Sequence, residues 1–212
     1  MFKKIIFLLF LCLPNVSFAY DCSRYQYDID IDVKLNIKDV EIQKSNKNLV
    51  GKLGYTEPVI SYTSLARTVI IPVHGGFCVS LRGVDVEINE DFNVTIDKRL
   101  KEKSCAYDIV FKHEQDHVDV YKDVIKSNID GIKKAIKNTA KDLKPVFVKS
   151  EKNAPDFAEK MEKSDFIIKI KDEIKDKIKT ENEKIDERGD SFYIWKCDDF
   201  YKEMKDSGIV ID

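Results

Sequence analysis

The hydrophobic period of the chain changes near residue 104, and this change separates two kinds of segment. Before it, apolar residues alternate with polar ones, as in residues 25–37, which is typical of a strand with one buried face. After it, apolar residues recur every three to four positions, which is typical of amphipathic helices. The sequence therefore predicts an α+β fold in which an antiparallel sheet is followed by several charged amphipathic helices.

Residues 20–100 form the strand-rich part of this prediction. The alternating pattern predicts strands over residues 25–37, 68–73, 79–88 and 92–96. Turn-forming residues cluster at Gly75-Gly76 and at 89–91, and a polar, glycine-punctuated stretch at 45–54 predicts a loop. Consecutive strands joined by such short turns indicate an antiparallel meander.

Residues 104–197 form the helix-rich part. Ser104 is a suitable N-cap for a first helix. The apolar stripe of this helix runs from Ala106 to Val124 with a spacing of three to four residues, and both histidines lie on it. A second helix is predicted over 125–143 with a break near Gly131, and a third over 156–186. The outer face of the third helix carries lysines alternating with glutamates and aspartates. Because the charges alternate in sign, they indicate a solvated surface.

The first helix contains the motif with the clearest chemical meaning. His113-Glu114-Gln115-Asp116-His117 spells H-E-x-x-H in a chain with three histidines. Residues four apart lie one above the other on a helix, so both imidazoles can bind one zinc ion while Glu114 serves as general base. The alternative is a pair of hydrogen-bonded core histidines, which leaves a buried Glu114 unexplained.

A catalytic zinc site needs a third protein ligand, and the sequence leaves two candidates open. Asp123 stands six residues after His117, but helical periodicity continues through it, so we expect a surface carboxylate. His74 follows a strand beside two glycines and could complete a three-histidine site. Asp186 is favoured slightly, because its helix is predicted to return against the core. Asn182 and Asp186 have N-x-x-x-D spacing on this helix. Asp186 could instead orient a histidine ring without binding the metal.

The first 19 residues have the features of a signal peptide. Lys3 and Lys4 precede an apolar run at 5–13, and small residues stand at Ser17 and Ala19 before the expected cleavage site. The run is too short for a membrane-spanning helix, which disfavours the alternative of a permanent anchor. We therefore predict an exported protein, periplasmic or secreted, in which residues 20–212 form one domain without a stable membrane anchor.

Four cysteines remain after removal of the leader: Cys22, Cys78, Cys105 and Cys197. An even number in an exported chain predicts two disulfides with three possible connectivities. We favour Cys78 with Cys105 and Cys22 with Cys197, which would join the body and then the two ends. The formal net charge of −2 gives no indication of nucleic-acid binding.

Three blocks of sequence carry a family resemblance: Gly75-Gly76-Phe77-Cys78, then Ser104-Cys105-Ala106-Tyr107, then residues 113–118. Together they resemble a family of uncharacterised exported bacterial proteins described as predicted secreted zinc-dependent proteases. The likeness is clearest over residues 70–125 and returns faintly over 182–197. It implies a zincin-like order of parts, with a signal peptide, a sheet, an active-site helix and a charged helical tail.

These observations predict an exported zinc-dependent metallopeptidase acting on a peptide or protein substrate. Glu114 would accept a proton from water and pass it to the leaving amine, and Tyr107 or Tyr121 would be candidate donors to an oxyanion. The alternative is a non-catalytic metal-binding or structural envelope protein that retains the H-E-x-x-H helix. Hydrolysis of a non-peptide bond and the oligomeric state stay open.

Overall fold

The structure is a computed structural model that describes residues 20–162, 166–189, 194 and 197–210. The predicted signal peptide over 1–19 lies outside the described residues. In the described part, no helix is long and apolar enough to cross a membrane.

Four strands form one sheet: β1 Asp30–Lys44, β2 Gly54–Val73, β3 Gly76–Ile96 and β4 Val146–Val148. Their order is β1-β3-β2, and β4 pairs with the first residues of β3. β2 and β3 form an antiparallel hairpin, whereas β1 runs parallel to β3. The prediction of an antiparallel sheet is therefore wrong, and the sheet is mixed. The chain reverses twice after β1, so β3 points the same way as β1 and takes the central place that a meander would give to β2.

The strands are longer than predicted. The segments at 79–88 and 92–96 belong to the single strand β3, and the predicted turn at 89–91 lies inside it. Asn89 lies on the polar outer face of the sheet, where its side-chain oxygen accepts a hydrogen bond from the amide of Asn36 at 2.8 Å. The turn-like composition of 89–91 thus occurs inside a strand, with Asn89 on the outer face and Glu90 buried on the inner face. The turn at Gly75 is confirmed, and its φ of 80° is a conformation that glycine adopts readily.

Five helices follow β3 or β4 among the described residues: α1 Cys105–Ser127, α2 Ile129–Lys141, α3 Ala154–Glu162, α4 Phe166–Arg188 and α5 Phe200–Asp206. Ser104 is the N-cap of α1, as predicted, because its side chain accepts a hydrogen bond from the backbone N–H of Tyr107 at 3.2 Å. The break predicted near Gly131 lies at Asn128, whose side-chain amide donates to the carbonyl oxygen of Val124 at 2.7 Å. The helix predicted over 156–186 corresponds to two described helices, α3, which ends at Glu162, and α4, which begins at Phe166.

The helices pack on one face of the sheet and bury its apolar residues in two main clusters. The first joins the early half of β3 to α2 and α4, and the second joins its late half to α1 and α5. The first contains Leu81, Val84, Val86, Ile88, Ile125, Ile132, Ile136, Ile170 and Ile174; the second contains Phe92, Val94, Ile96, Ala106, Ile109, Val110, Val118, Phe200 and Met204. The apolar stripe of α1 therefore holds this helix firmly on the strand that leads into it.

Two disulfides are formed, Cys22–Cys78 and Cys105–Cys197. The predicted pairing of Cys78 with Cys105 and of Cys22 with Cys197 is therefore wrong. Cys78 lies at the start of β3 and Cys105 beyond its end, and a strand of this length at about 3.3 Å per residue separates them far beyond the reach of a disulfide. The parallel pairing instead brings the segment before β1 beside the start of β3, where Ser80 donates a hydrogen bond to the carbonyl oxygen of Tyr25 at 2.7 Å.

Candidate metal centre

Helix α1 brings His113 and His117 together on one face. Their Nε2 atoms lie 3.2 Å apart, and the rings meet edge to face with centroids 4.9 Å apart. The side chains are 14% and 13% exposed, so both are largely removed from solvent. At this distance the two nitrogens can share one hydrogen bond, and they are also close enough to bind one cation.

Helix α4 adds a carboxylate to this pair. The Oδ1 atom of Asp186 lies 3.2 Å from Nε2 of His117 and 3.8 Å from Nε2 of His113. The three distances define a triangle whose corners lie about 2.0 Å from a common centre, close to the ~2.0–2.2 Å bonds that zinc makes with nitrogen and carboxylate oxygen. The group His113, His117 and Asp186 could therefore hold a metal ion.

The other candidate, His74, lies elsewhere, and so does the carboxylate Asp123. His74 is exposed in the turn between β2 and β3, at the opposite end of the 20-residue strand β2 from the residues that face the histidines. Asp123 is exposed further along α1 and lines a separate cleft with Lys177 of α4, as expected for a surface carboxylate. Of the three, Asp186 is the residue that the fold brings to the histidine pair.

Asn182, one turn before Asp186, orients the ring of His117. Its side-chain oxygen lies 2.6 Å from Nδ1 of His117, and its side-chain nitrogen donates to the carbonyl oxygen of Ile178 at 3.0 Å. The second contact fixes which end of the amide faces the ring, so Nδ1 of His117 is the donor. A proton on Nδ1 leaves Nε2 with a free electron pair directed at Asp186 and His113, which is the tautomer that binds a metal.

Glu114 is buried at 4% exposure between α1 and the first residues of β2. The hydroxyl of Thr56 lies 2.9 Å from Oε2 of Glu114 and 2.9 Å from its backbone carbonyl oxygen. A Cβ atom at Gly54 would come within 2.9 Å of both Cγ and Oε1 of Glu114, so the strand passes directly against the side chain. The carboxylate is therefore held in a narrow space next to the histidine pair.

An open cleft of about 600 Å³ joins these groups to solvent. Its walls are the start of β2 on one side and α4 on the other, with α1 as the floor. The lining residues outside the site itself include Lys52, Tyr55, Tyr121, Lys175 and Ile178. Burial raises the pKa of Tyr121, so this phenol keeps its proton at neutral pH and can donate a hydrogen bond in the cleft.

Tyr107 is placed differently from Tyr121. It packs in the cluster at the start of α1, two helical turns before the histidine pair, and it is not among the residues that line the cleft. Burial, with Glu102 and Asp108 nearby, raises the pKa of its hydroxyl. Of the two tyrosines predicted as oxyanion donors, Tyr121 is the one that lines the cleft together with the candidate metal ligands.

Ion pairs on the outer side of the site connect α1 with α4. Asp116 lies 2.7 Å from the ammonium group of Lys112 on its own helix and 3.9 Å from the guanidinium of Arg188 on α4. Exposed pairs of this kind contribute only about 0–1 kcal/mol each. Apolar packing also joins the two helices, through Ile125 of α1 and Ile170 and Ile174 of α4.

Comparisons of the chain with known protein families, with curated proteins and with solved structures give no match.

Proposed function

We propose that this protein is an exported zinc-dependent peptidase of the zincin type. The observation that carries the proposal is the convergence of His113 Nε2, His117 Nε2 and Asp186 Oδ1 within 3.2–3.8 Å, beside the buried Glu114 and at the floor of an open cleft. Three protein ligands that leave one side open to solvent are typical of a catalytic metal site, whereas structural zinc sites are closed by four.

The donor set favours a transition metal over calcium and magnesium, and among transition metals the H-E-x-x-H spacing with the adjacent Glu114 favours zinc. Two imidazoles and one carboxylate suit zinc, while calcium and magnesium take oxygen ligands almost exclusively. When bound, zinc would supply a Lewis acid that polarises a carbonyl group and lowers the pKa of water toward ~7. The hydrogen bond from His117 to Asn182 supports metal binding because it holds this ring in the required tautomer.

Residues of the chain itself would carry out the proton transfers and stabilise the negative charge that develops during hydrolysis. Glu114 acts as general base, accepts the proton of the attacking water, and returns it to the leaving amine. Tyr121, on the same cleft, can donate a hydrogen bond to the oxygen on which negative charge develops. Thr56 and Gly54 confine the side chain of Glu114, so the base does not need to be ordered when substrate arrives.

The position of the cleft between the edge strand β2 and helix α4 supports a peptide substrate. An edge strand has unpaired backbone groups, with which an extended chain could pair. The two disulfides are consistent with an oxidising compartment, and the leader predicted over 1–19 supports export to the periplasm or the medium.

The test uses the mature chain, refolded with both disulfides intact. We expect about one zinc per chain by elemental analysis, loss of zinc in His113→Ala, and hydrolysis of a peptide library that requires zinc. In Glu114→Gln the zinc should be retained, while hydrolysis falls by at least a hundredfold because the base is lost.

Asp119→Asn is the matched control, since it removes a carboxylate from an exposed position on the same helix and should leave both zinc and hydrolysis unchanged. Zinc binding without hydrolysis of any peptide would refute the peptidase and favour the non-catalytic metal-binding protein. Hydrolysis of esters or amides of other kinds, with peptides untouched, would assign a hydrolase of different substrate class.

A further inference from the structure

Thr56 contacts Glu114 through two atoms at once. The Oγ1 atom of Thr56 lies 2.9 Å from the carboxylate oxygen Oε2 and 2.9 Å from the backbone carbonyl oxygen of the same residue. Both partners are acceptors, so the hydroxyl is the donor to each and shares one hydrogen between them. The two residues are 58 positions apart, and the contact links the second strand of the sheet to the candidate active-site helix.

The surroundings leave the carboxylate little freedom to turn away from this donor. Glu114 is 4% exposed, and the backbone of Gly54 lies so close that an added Cβ would meet Cγ and Oε1 of Glu114 and Cγ1 of Val110 at 2.9 Å. The side chain is thus enclosed by the strand on one side and held at Oε2 by the hydroxyl. A buried carboxylate that is hydrogen-bonded and closely packed moves less than an exposed one.

We propose that Thr56 is a positioning residue for the general base, holding Glu114 by its Oε2 atom so that the carboxylate stays aimed into the cleft. This inference rests on the proposed function, because it assigns a role within the hydrolytic site. Thr56 itself touches neither metal ligand in the described contacts; it acts through Glu114. Thr56 also contacts the backbone carbonyl oxygen of Glu114. This second contact holds β2 at one position along α1, so the Thr56 hydroxyl stays opposite the Glu114 carboxylate.

The kinetic test compares Thr56→Val, which keeps the shape and removes the donor, with Thr56→Ser, which keeps the donor. We expect Thr56→Val to lower kcat by ten- to a hundredfold, with KM and zinc content unchanged, because misplacement of a base slows the chemical step. Thr56→Ser should restore kcat to within about threefold of the wild type. Thr68→Val, at a half-buried threonine further along β2, serves as control and should leave kcat unchanged.

A second measurement does not depend on activity. In urea unfolding of the zinc-free protein, Thr56→Val should lower the unfolding midpoint more in the wild-type background than in the Glu114→Ala background. The reason is that Glu114→Ala has already lost the hydrogen bond between Thr56 and the carboxylate and keeps only the contact with the backbone carbonyl oxygen. Equal shifts in both backgrounds, or a Thr56→Val enzyme with unchanged kcat, would overturn the inference. If the wild type binds zinc but hydrolyses nothing, the proposed function fails, while the unfolding comparison still decides whether Thr56 and Glu114 are coupled.

Discussion

The Nδ1 atom of His117 lies 2.6 Å from the side-chain oxygen of Asn182, which is 65 residues further along the chain. This contact favours the tautomer with the proton on Nδ1, because the amide oxygen of Asn182 accepts that proton and Nε2 is then unprotonated. Asn182 and Asp186 are one turn apart on α4, so a single helix supplies both a candidate ligand and the group that orients another. Docking of α4 on α1 is therefore required for a complete site.

Substitution of Asn182 should weaken zinc binding without removing a ligand. We expect Asn182→Leu to lower the zinc affinity by ten- to a hundredfold, since the ring of His117 loses the acceptor that fixes its tautomer. The measurement is competition with a chelating dye at pH 7.5. Asn138→Leu, at an exposed asparagine on α2, should leave the affinity as in the wild type. An unchanged affinity in Asn182→Leu would show that the contact has no part in metal binding.

The zinc affinities of an Asp186 variant and a His74 variant distinguish the two candidates for the third ligand. Asp186→Ala should lower the zinc affinity by a hundredfold or more, because the proposed site would lose one of its three protein ligands. His74→Ala should have no effect, since this residue is in the exposed turn at the far end of β2. Calorimetric titration with zinc measures both. Loss of zinc in His74→Ala together with retention in Asp186→Ala would contradict the assignment.

Glu90 is a buried carboxylate in the middle of β3, between the two apolar clusters. It is fully enclosed, and neither carboxylate oxygen has a hydrogen-bond partner among the described residues. Desolvation raises its pKa to about 7, against a smaller opposite effect of Lys122. Burial, with Glu90 nearby, also raises the pKa of Tyr62 to about 12, so this neighbour stays neutral.

The stability of the protein should therefore fall as the pH rises from about 4.5 to 7. Glu90 has a higher pKa when folded than when unfolded, so the folded state holds the proton more tightly and loses this advantage on ionisation. The loss is about 3 kcal/mol at 1.36 kcal/mol per pKa unit. We expect Glu90→Gln to flatten the dependence, as measured by urea unfolding at pH 5 and pH 8. Glu57→Gln, at an exposed position on β2, should keep the wild-type slope; a flat profile in the wild type itself would argue against a protonated Glu90.

Two glycine-to-alanine variants should have opposite effects. In Gly54→Ala the new methyl group would meet Glu114 and Val110 at 2.9 Å, so we expect a loss of about 1–3 kcal/mol in the free energy of unfolding and a lower kcat. In Gly131→Ala the nearest atom is Oε1 at the end of the flexible Glu173 side chain, and alanine favours the helix by about 0.5–1 kcal/mol. Thermal unfolding and peptide hydrolysis measure both. A stable and fully active Gly54→Ala would mean that the strand can move away from the base.

The sequence predicts the parts of this molecule that depend on neighbouring residues. The N-cap at Ser104 and the juxtaposition of His113 and His117 follow from local rules of helix geometry. The parallel pairing of β1 with β3 and the two disulfides depend on which strand takes the central place, and alternating polarity is the same for either order.

The residues around Glu114 illustrate the same limit. Thr56 stands in a segment without a recognised motif, and only the crossing of β2 over α1 brings its hydroxyl to the carboxylate. The composition of 45–54 predicts a loop that ends at Gly54, but Gly54 begins β2, and its close approach to α1 requires a glycine. The spacing of Asn182 from Asp186 is visible in the sequence, whereas the contact of Asn182 with His117 depends on the rotation of α4 about its axis. Such long-range contacts carry no signal in a single sequence.

The Cys105–Cys197 disulfide has a consequence for a chain that has been nicked. His113 and His117 follow its first cysteine, and Asp186 precedes its second, so the exposed turn Glu151–Asn153 lies inside the covalent loop. A peptide bond cut at that turn would leave the histidines on one fragment and the aspartate on the other. Under non-reducing conditions the two fragments would still migrate as one molecule, and the three candidate ligands would stay tethered to each other.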